Sequence, residues 1–341
     1  MRTGKSTFLG IIVTLTAFLI LSAGPLFAEP ITLKFANFEP AQAKITTQIF
    51  NTWVEEVNKA GQGIIKIDIF SGGVLGRDPG TQLKVILDGI ADIAWILNPY
   101  TPGRFPDDQV VNIPGVARNN IEAGVALQRL YDKGMLRGYD DIIPIGCTTA
   151  YPYYIHSDYP VKIPEDLQGK KFKATGQMQH VLLEAVGGTP VGMSITKVAE
   201  SVNRGVLSGL LGEPNSMNTF RVYEVVKYHL EKVDFGTSNQ MVAMTKKRYN
   251  SLPAEARAIL DKFRGEAFAR YYGERMNRIQ LSALQKYKDD PKHKFYTPSA
   301  AETEKWFALM DPLVEKWKET HPNGENLLNT YRTEVEKIRN E

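Results

Sequence analysis

The stretch that decides the fold runs from Ile163 to Phe220 and reads IPEDLQGKKFKATGQMQHVLLEAVGGTPVGMSITKVAESVNRGVLSGLLGEPNSMNTF. Turns, short strands and amphipathic helices alternate along it. Pro164-Glu165-Asp166 opens a helical turn that Gly169 ends, and Lys171 to Thr175 is short and β-compatible. Gly176 releases the chain into a helix with Val181, Leu182, Ala185 and Val186 on one side, closed by Gly187-Gly188. Thr189 to Met193 reads as a strand, and Thr196 to Val206 as a second helix, stopped near Gly205 and Gly209. This is the grammar of an α/β fold, whose loops face one end of a small sheet where ligands commonly sit. The stretch holds no paired nucleophile and base, so it favours binding over catalysis.

Working outward, the chain begins with a basic start (Arg2, Lys5), an apolar run from Phe8 to Leu21, and small residues before Leu26-Phe27-Ala28. This is the pattern of an export signal over residues 1–28, with cleavage expected after Ala28. The alternative is an uncleaved membrane anchor. Beyond it, ITLKFANF alternates Ile31, Leu33 and Phe35 as a first strand, with Glu39 just past its end. Ile45, Ile49, Trp53 and Val57, four apart, predict a helix, and Ile64 to Phe70 a second strand. A glycine-rich turn (Ser71 to Gly76) follows, without nucleotide-fingerprint spacing. Gln82 to Asp88 reads as a helix, Ile90 to Leu97 as a strand, Arg118 to Tyr131 as a helix and Ile142 to Ile145 as a strand. Tyr151, Tyr153, Tyr154 and Tyr159 crowd the loop that follows; such rings suit a cleft wall or a packed strand. Past the opening stretch, Val222 to Leu230 reads as helical and Gln240 to Thr245 as a strand. One helix is expected from about Pro253 to Tyr287, capped by Ser251 and long enough to span two lobes. Thr297 to Trp317 predicts another, interrupted at Pro312, and Glu334 to Glu341 a solvent-facing tail.

Composition narrows the function. The formal charge is +3, and two of those charges leave with the signal, so the body is nearly balanced and bulk charge points to no nucleic-acid partner. Cys147, the only cysteine, forms no intrachain disulfide and reads as a buried structural thiol. The five histidines show no HExxH spacing and no Ser–His–Asp arrangement, so neither a catalytic set, a metal site nor a cofactor is expected.

Several ordered strings then resemble one family. The Ile69–Gly76 segment with Leu83–Asp92, IPEDLQGKKFKATG, VGGTPVGMSITKVAESVNRGVLSG, VYEVVKYHLE and YNSLPAEAR follow the order of the DctP-type extracytoplasmic solute receptors of TRAP transporters, across most of residues 30 to 320. The resemblance implies a two-lobed α/β binding protein that encloses a small solute in a hinge cleft and delivers it to an ion-gradient-driven TRAP membrane permease, without covalent chemistry. The expected lobes are residues 29–150 with about 235–265, and 151–234 with about 266–320, leaving 321–341 as a tail. A monomer is expected.

The resemblance also marks departures. Lys173 stands where family members commonly place the arginine that pairs with a solute carboxylate, and lysine lacks arginine's planar two-donor fork. Ser208 and Leu210-Leu211 stand where family members often carry Asp and Gln-Glu; Glu213, Asn215 and Asn218 are placed to restore polar contacts. Glu39 is expected at the cleft-facing end of the first strand, with Trp95, Tyr100, Phe105 and Tyr151 offering an apolar or cation–π wall and Met193 nearby. An organic acid is the default solute, with an aromatic or amino-containing ligand as the main variant. Inward-facing Glu39 and Glu213 would favour an amine, amino acid or polyol, because an enclosed carboxylate needs a compensating partner. A ligand sensor would use the same cleft.

Overall fold

The computed structural model describes residues 29–341; the expected export signal lies outside the described residues. Two sheets form the frame. Strands β1 (Ile31–Ala36), β2 (Ile65–Phe70), β3 (Ile93–Leu97) and β4 (Ile142–Thr149) belong to the first, in the order β2-β1-β3-β10-β4, where β10 is Asn239–Thr245. β1 runs parallel to β2 and β3, and β10 lies antiparallel between β3 and β4. The second sheet comprises β5 (Tyr154–Ser157), β6 (Lys171–Ala174), β7 (Thr189–Gly192), β8 (Gly209–Gly212), β9 (Tyr228–Leu230) and β11 (Lys294–Tyr296), ordered β11-β9-β5-β8-β6-β7. Each sheet is the floor of one lobe.

Among the described residues, eleven α-helices cover the sheets: α1 (Asn51–Ala60), α2 (Gln82–Leu87), α3 (Asn120–Asp132), α4 (Gln177–Ala185), α5 (Val198–Asn203), α6 (Pro214–Thr219), α7 (Lys246–Ser251), α8 (Ala254–Lys262), α9 (Glu266–Asp289), α10 (Ala300–Thr320) and α11 (Gly324–Asn340). Local chemistry explains several boundaries. Asn119 Oδ1 accepts from the Ile121 and Glu122 amides and starts α3, and Ser299 with Glu302 forms a reciprocal capping box at α10. The expected helix at Ile45 opens with a π-type turn over Thr46–Phe50 before α1.

The chain crosses between lobes at residues 150–153 and 231–238, and these two segments pair with each other. Ala150 N donates to Ser238 O at 2.9 Å, Tyr153 N to Gly236 O at 2.8 Å and Phe235 N to Tyr153 O at 2.9 Å. A third crossing is α9. Its first half packs Phe268, Tyr272 and Met276 into the core of the first lobe, and its second half places Ala283 and Tyr287 in a core of the second.

Several expectations need correction. The helix expected over Pro253–Tyr287 is two, α8 and α9, separated at Gly265, whose φ of 67° is left-handed. Ser251 does not cap α8; it ends α7, and its hydroxyl donates to Arg248 O. Val222–Leu230 is a short 3-10 turn, whose Val222 joins Val226 in a core of the second lobe, followed by strand β9, which pairs with β5 and β11. Gly209–Leu211 belongs to strand β8 and does not end a helix. Pro312 sits inside α10 without ending it. The expected tail over 321–341 is mostly α11, which buries Leu327, Leu328, Tyr331, Val335 and Ile338. Arg129 on α3 pins it, pairing with Glu266 at 2.9 Å, Glu334 at 3.2 Å and Glu341 at 2.9 Å. Residues 266–320 also do not belong wholly to the second lobe, since α9 begins inside the first.

Candidate ligand-binding site

The carboxyl ends of β1, β3, β4, β6 and β8 converge, which is where open α/β sheets place their ligands. A narrow cavity lies between them. The first lobe supplies Phe38, Glu39, Trp95, Tyr100 and Gln240; the second supplies Tyr153, Lys173, Thr175, Glu213 and Asn215. The shaft of α9 closes one side with Tyr272, Met276 and Gln280.

Among the described residues, Lys173 is the only cationic side chain lining this cavity, and it is 3% exposed. It forms no ion pair among the described residues. Its ammonium donates to the Thr175 hydroxyl and lies 5.7 Å from the centre of the Tyr153 ring. Burial brings its pKa down to about 8, while the Glu213 carboxylate works in the opposite direction. It therefore remains mainly charged at neutral pH.

The two glutamates face the cavity differently. Glu213 is the N-cap of α6: its Oε2 accepts from Asn215 N at 2.9 Å and its Oε1 from Ser216 N at 2.8 Å. Asn215 N also donates to Gln280 Oε1 at 2.8 Å, tying α6 to α9. Burial raises the Glu213 pKa, and these hydrogen bonds oppose the rise. Glu39 has no such support. Its carboxylate takes no hydrogen bond among the described residues, and burial first, then Glu213, push its pKa up to about 8. At neutral pH Glu39 is mainly a neutral carboxylic acid.

The aromatic wall is ordered by stacking. Phe38 lies flat on Trp95, with ring centres 4.8 Å apart and planes within 3°. Tyr100 reaches across the lobes, its hydroxyl accepting from Ile195 N at 3.3 Å; burial raises its pKa to about 12. Tyr272 donates to Gln240 Oε1 at 3.2 Å.

Of the residues expected from sequence, Glu39, Trp95, Tyr100, Lys173, Glu213 and Asn215 come together here. Three do not. Met193 lines an outer chamber that shares Tyr100 and Thr175 with the inner cavity and also holds Phe105. Tyr151 sits on another face of the second lobe, beside His156 and His229, because β5 carries the chain away from the cleft after Tyr153. Asn218 points along α6 toward α9, where its Oδ1 accepts from Lys286 Nζ at 3.0 Å. Sequence reading missed Thr175, Gln240, Tyr272, Met276 and Gln280. A signal existed for Thr175, two residues beyond Lys173 on the same strand face, but the α9 residues carried none.

The histidines stand apart from the inner cavity. His156 Nδ1 lies 2.7 Å from His229 Nδ1, and His229 Nε2 lies 2.7 Å from His293 Nδ1, forming a column through the second lobe. Cys147 is fully buried, and burial raises its thiol pKa well above the usual range. No group of three or more His, Cys, Asp or Glu among the described residues could hold a metal ion.

Comparison with known proteins agrees with this geometry. The family described as bacterial extracellular solute-binding protein, family 7 (DctP) matches residues 35–320. The chain belongs to this family. It is a DctP-type solute receptor of the TRAP transporters, a periplasmic binding protein and not an enzyme. The receptor is 24% identical over 328 residues to the C4-dicarboxylate-binding periplasmic protein DctP of Rhodobacter capsulatus, covering 91% of this chain and 93% of that one. Among solved structures it resembles a marine metagenome TRAP solute binding protein specific for aromatic acid ligands, in complex with 3-hydroxybenzoate. The TM-score is 0.85 at 26% identity, covering 91% of this chain and 99% of that one. A TRAP solute binding protein from Rhodoferax ferrireducens with copurified benzoate shares the fold, at a TM-score of 0.83 and 24% identity, over 91% of this chain and 99% of that one.

Proposed function

We propose that this receptor encloses a small organic acid with one carboxylate, held by Lys173, and passes it as a monomer to a TRAP membrane permease. One observation carries the reading: the enclosed cavity has a single cation, and that cation has no carboxylate partner of its own. A buried ammonium needs a counter-charge, and a solute carboxylate supplies it. The aromatic acid bound by the metagenome relative and the dicarboxylate named for the Rhodobacter protein are consistent with an acid. A dicarboxylate fits less well, because its second anion would meet Glu213 or Glu39 and no second cation. The inward glutamates do not exclude a monoacid: Glu39 is mainly protonated near neutral pH, and Glu213 has its oxygens occupied as a helix cap.

Those same glutamates favour a second reading, an amine or amino acid whose ammonium would sit against Glu39. Calorimetric titration separates the two. Benzoate or a similar monoacid is expected to bind, succinate to bind more weakly, and matched amines and polyols not at all. Lys173→Met should lower acid affinity by about 100-fold, since a buried charge pair loses one partner. Binding of amines with no response to any acid would refute the assignment. Lys173 and Glu39 sit on opposite lobes, so a solute touching both would hold the cleft closed.

A further inference from the structure

Two buried polar groups of the inner cavity have no partner. Glu39 is 2% exposed and its Oε2 takes no hydrogen bond; Trp95 is 4% exposed and its Nε1–H donates to nothing among the described residues. They stand on adjacent strands, past the end of β1 and on β3, which pair through Phe35 with Ile93 and Ala36 with Ala94. Phe38 stacks on Trp95, so both groups border one apolar face. A buried polar atom left unpaired carries its full desolvation penalty until a ligand or water meets it. Lys173 enters from the opposite lobe. Lys173 stands on β6 of the second sheet, and Glu39 and Trp95 stand at β1 and β3 of the first. The cavity thus has a cationic pole and, away from it, a polar pole made of one donor and one carboxyl group.

We infer that Glu39 and Trp95 together select a hydroxyl group on the end of the acid remote from its carboxylate, so that the solute is a hydroxy acid. The inference rests on the reading that Lys173 takes the carboxylate. The Trp95 indole is a donor only and needs an acceptor. A Glu39 oxygen without a partner accepts a donor, whether or not the other oxygen carries a proton. A hydroxyl is the smallest group that answers both at once. An ammonium would satisfy Glu39 and leave the indole opposed by another donor. An ether would satisfy the indole alone. A second carboxylate would place its charge beside Glu39 and Glu213.

The test compares paired acids by calorimetry on the purified receptor: benzoate against 3- and 4-hydroxybenzoate, 3-methoxybenzoate and 3-aminobenzoate, and hexanoate against 6-hydroxyhexanoate. Each pair is measured on the wild type, Trp95→Phe and Glu39→Leu, with thermal unfolding as a control for folding. At least one hydroxy acid should bind about tenfold or more tightly than its parent in the wild type. That ratio should fall to about threefold or less in either variant. The methoxy and amino analogues should gain less than the hydroxy acid. Equal binding of every parent and hydroxy acid, or a ratio that survives in both variants, would overturn the hydroxyl assignment while leaving the carboxylate reading intact. Failure of all the acids, with amines binding, would overturn both.

Discussion

Lys173 and Glu39 show how one cavity can hold a buried base and a buried acid without pairing them. Each is stripped of water, and each responds by moving toward its neutral form, to about 8 in both cases. For Glu39 the folded value lies above the usual carboxylate range, so the folded protein keeps a proton that the unfolded chain releases. The stabilisation from that proton is complete at acidic pH and is lost as pH rises toward about 8. Glu39→Gln should therefore flatten the decline in unfolding temperature between pH 5 and pH 8.5, measured by calorimetry; parallel curves for the two proteins would reject the buried, unpartnered carboxyl. Glu39 and Glu213 were placed from sequence just past short strands, and Lys173, inside β6, by the family resemblance; all three line the cavity. Gln280 and Tyr272 were not placed from sequence. Both lie in a helix of mixed polar and apolar residues, and only the packing of α9 across both lobes decides which of them line the cavity.

At the scale of elements, α9 is held by a close approach. Gly273 lies against α3, and a Cβ there would stand 2.9 Å from Ile121 Cα, in backbone that has nowhere to retreat. Gly273→Ala should cost about 1–3 kcal/mol, read as a lower denaturant midpoint with little change in its slope. The column of His156, His229 and His293 joins β5, β9 and the approach to β11. Burial lowers the pKa of His156 to about 3 and of His229 to about 2, so both stay neutral in the folded state. The unfolded chain binds protons there below about 6.5, so stability should fall as pH drops from that value toward 3. Ring-nitrogen resonances of both residues should stay unchanged down to pH 5; a protonation midpoint near 6 for either would contradict the buried column. Strands and helices with strong periodicity, such as β1 and α3, were readable from spacing alone. β9 was not, because VYEVVKYHL carries spacing compatible with either state and its sheet partners arrive from distant residues.

Across the whole molecule, the family resemblance implied two lobes, and the paired crossings at 150–153 and 231–238 show how they stay joined. What spacing could not reveal was the return of α11 to the first lobe, since an amphipathic C-terminal helix looks the same wherever it docks. A solute that bridges the lobes should raise the unfolding temperature in proportion to the logarithm of its concentration above Kd, and Lys173→Met should abolish the shift for acids. Closure is read separately: benzoate-type acids that raise the unfolding temperature without reducing the radius of gyration in small-angle scattering would speak against closure over the solute. The shaft of α9 adds a mechanical consequence. It is a single rod of 24 residues, roughly 36 Å long at 1.5 Å per residue, clamped at one end by Phe268 and Tyr272 and at the other by Ala283 and Tyr287. Such a rod behaves as a beam fixed at both ends: the lobes cannot swing apart freely, and opening must load its midspan. Met276 and Gln280 occupy that midspan and line the cavity. A ligand pressed there works as a fulcrum, so a small displacement beside the bound acid would be carried as bending to both outer surfaces, which are the faces a membrane partner can feel.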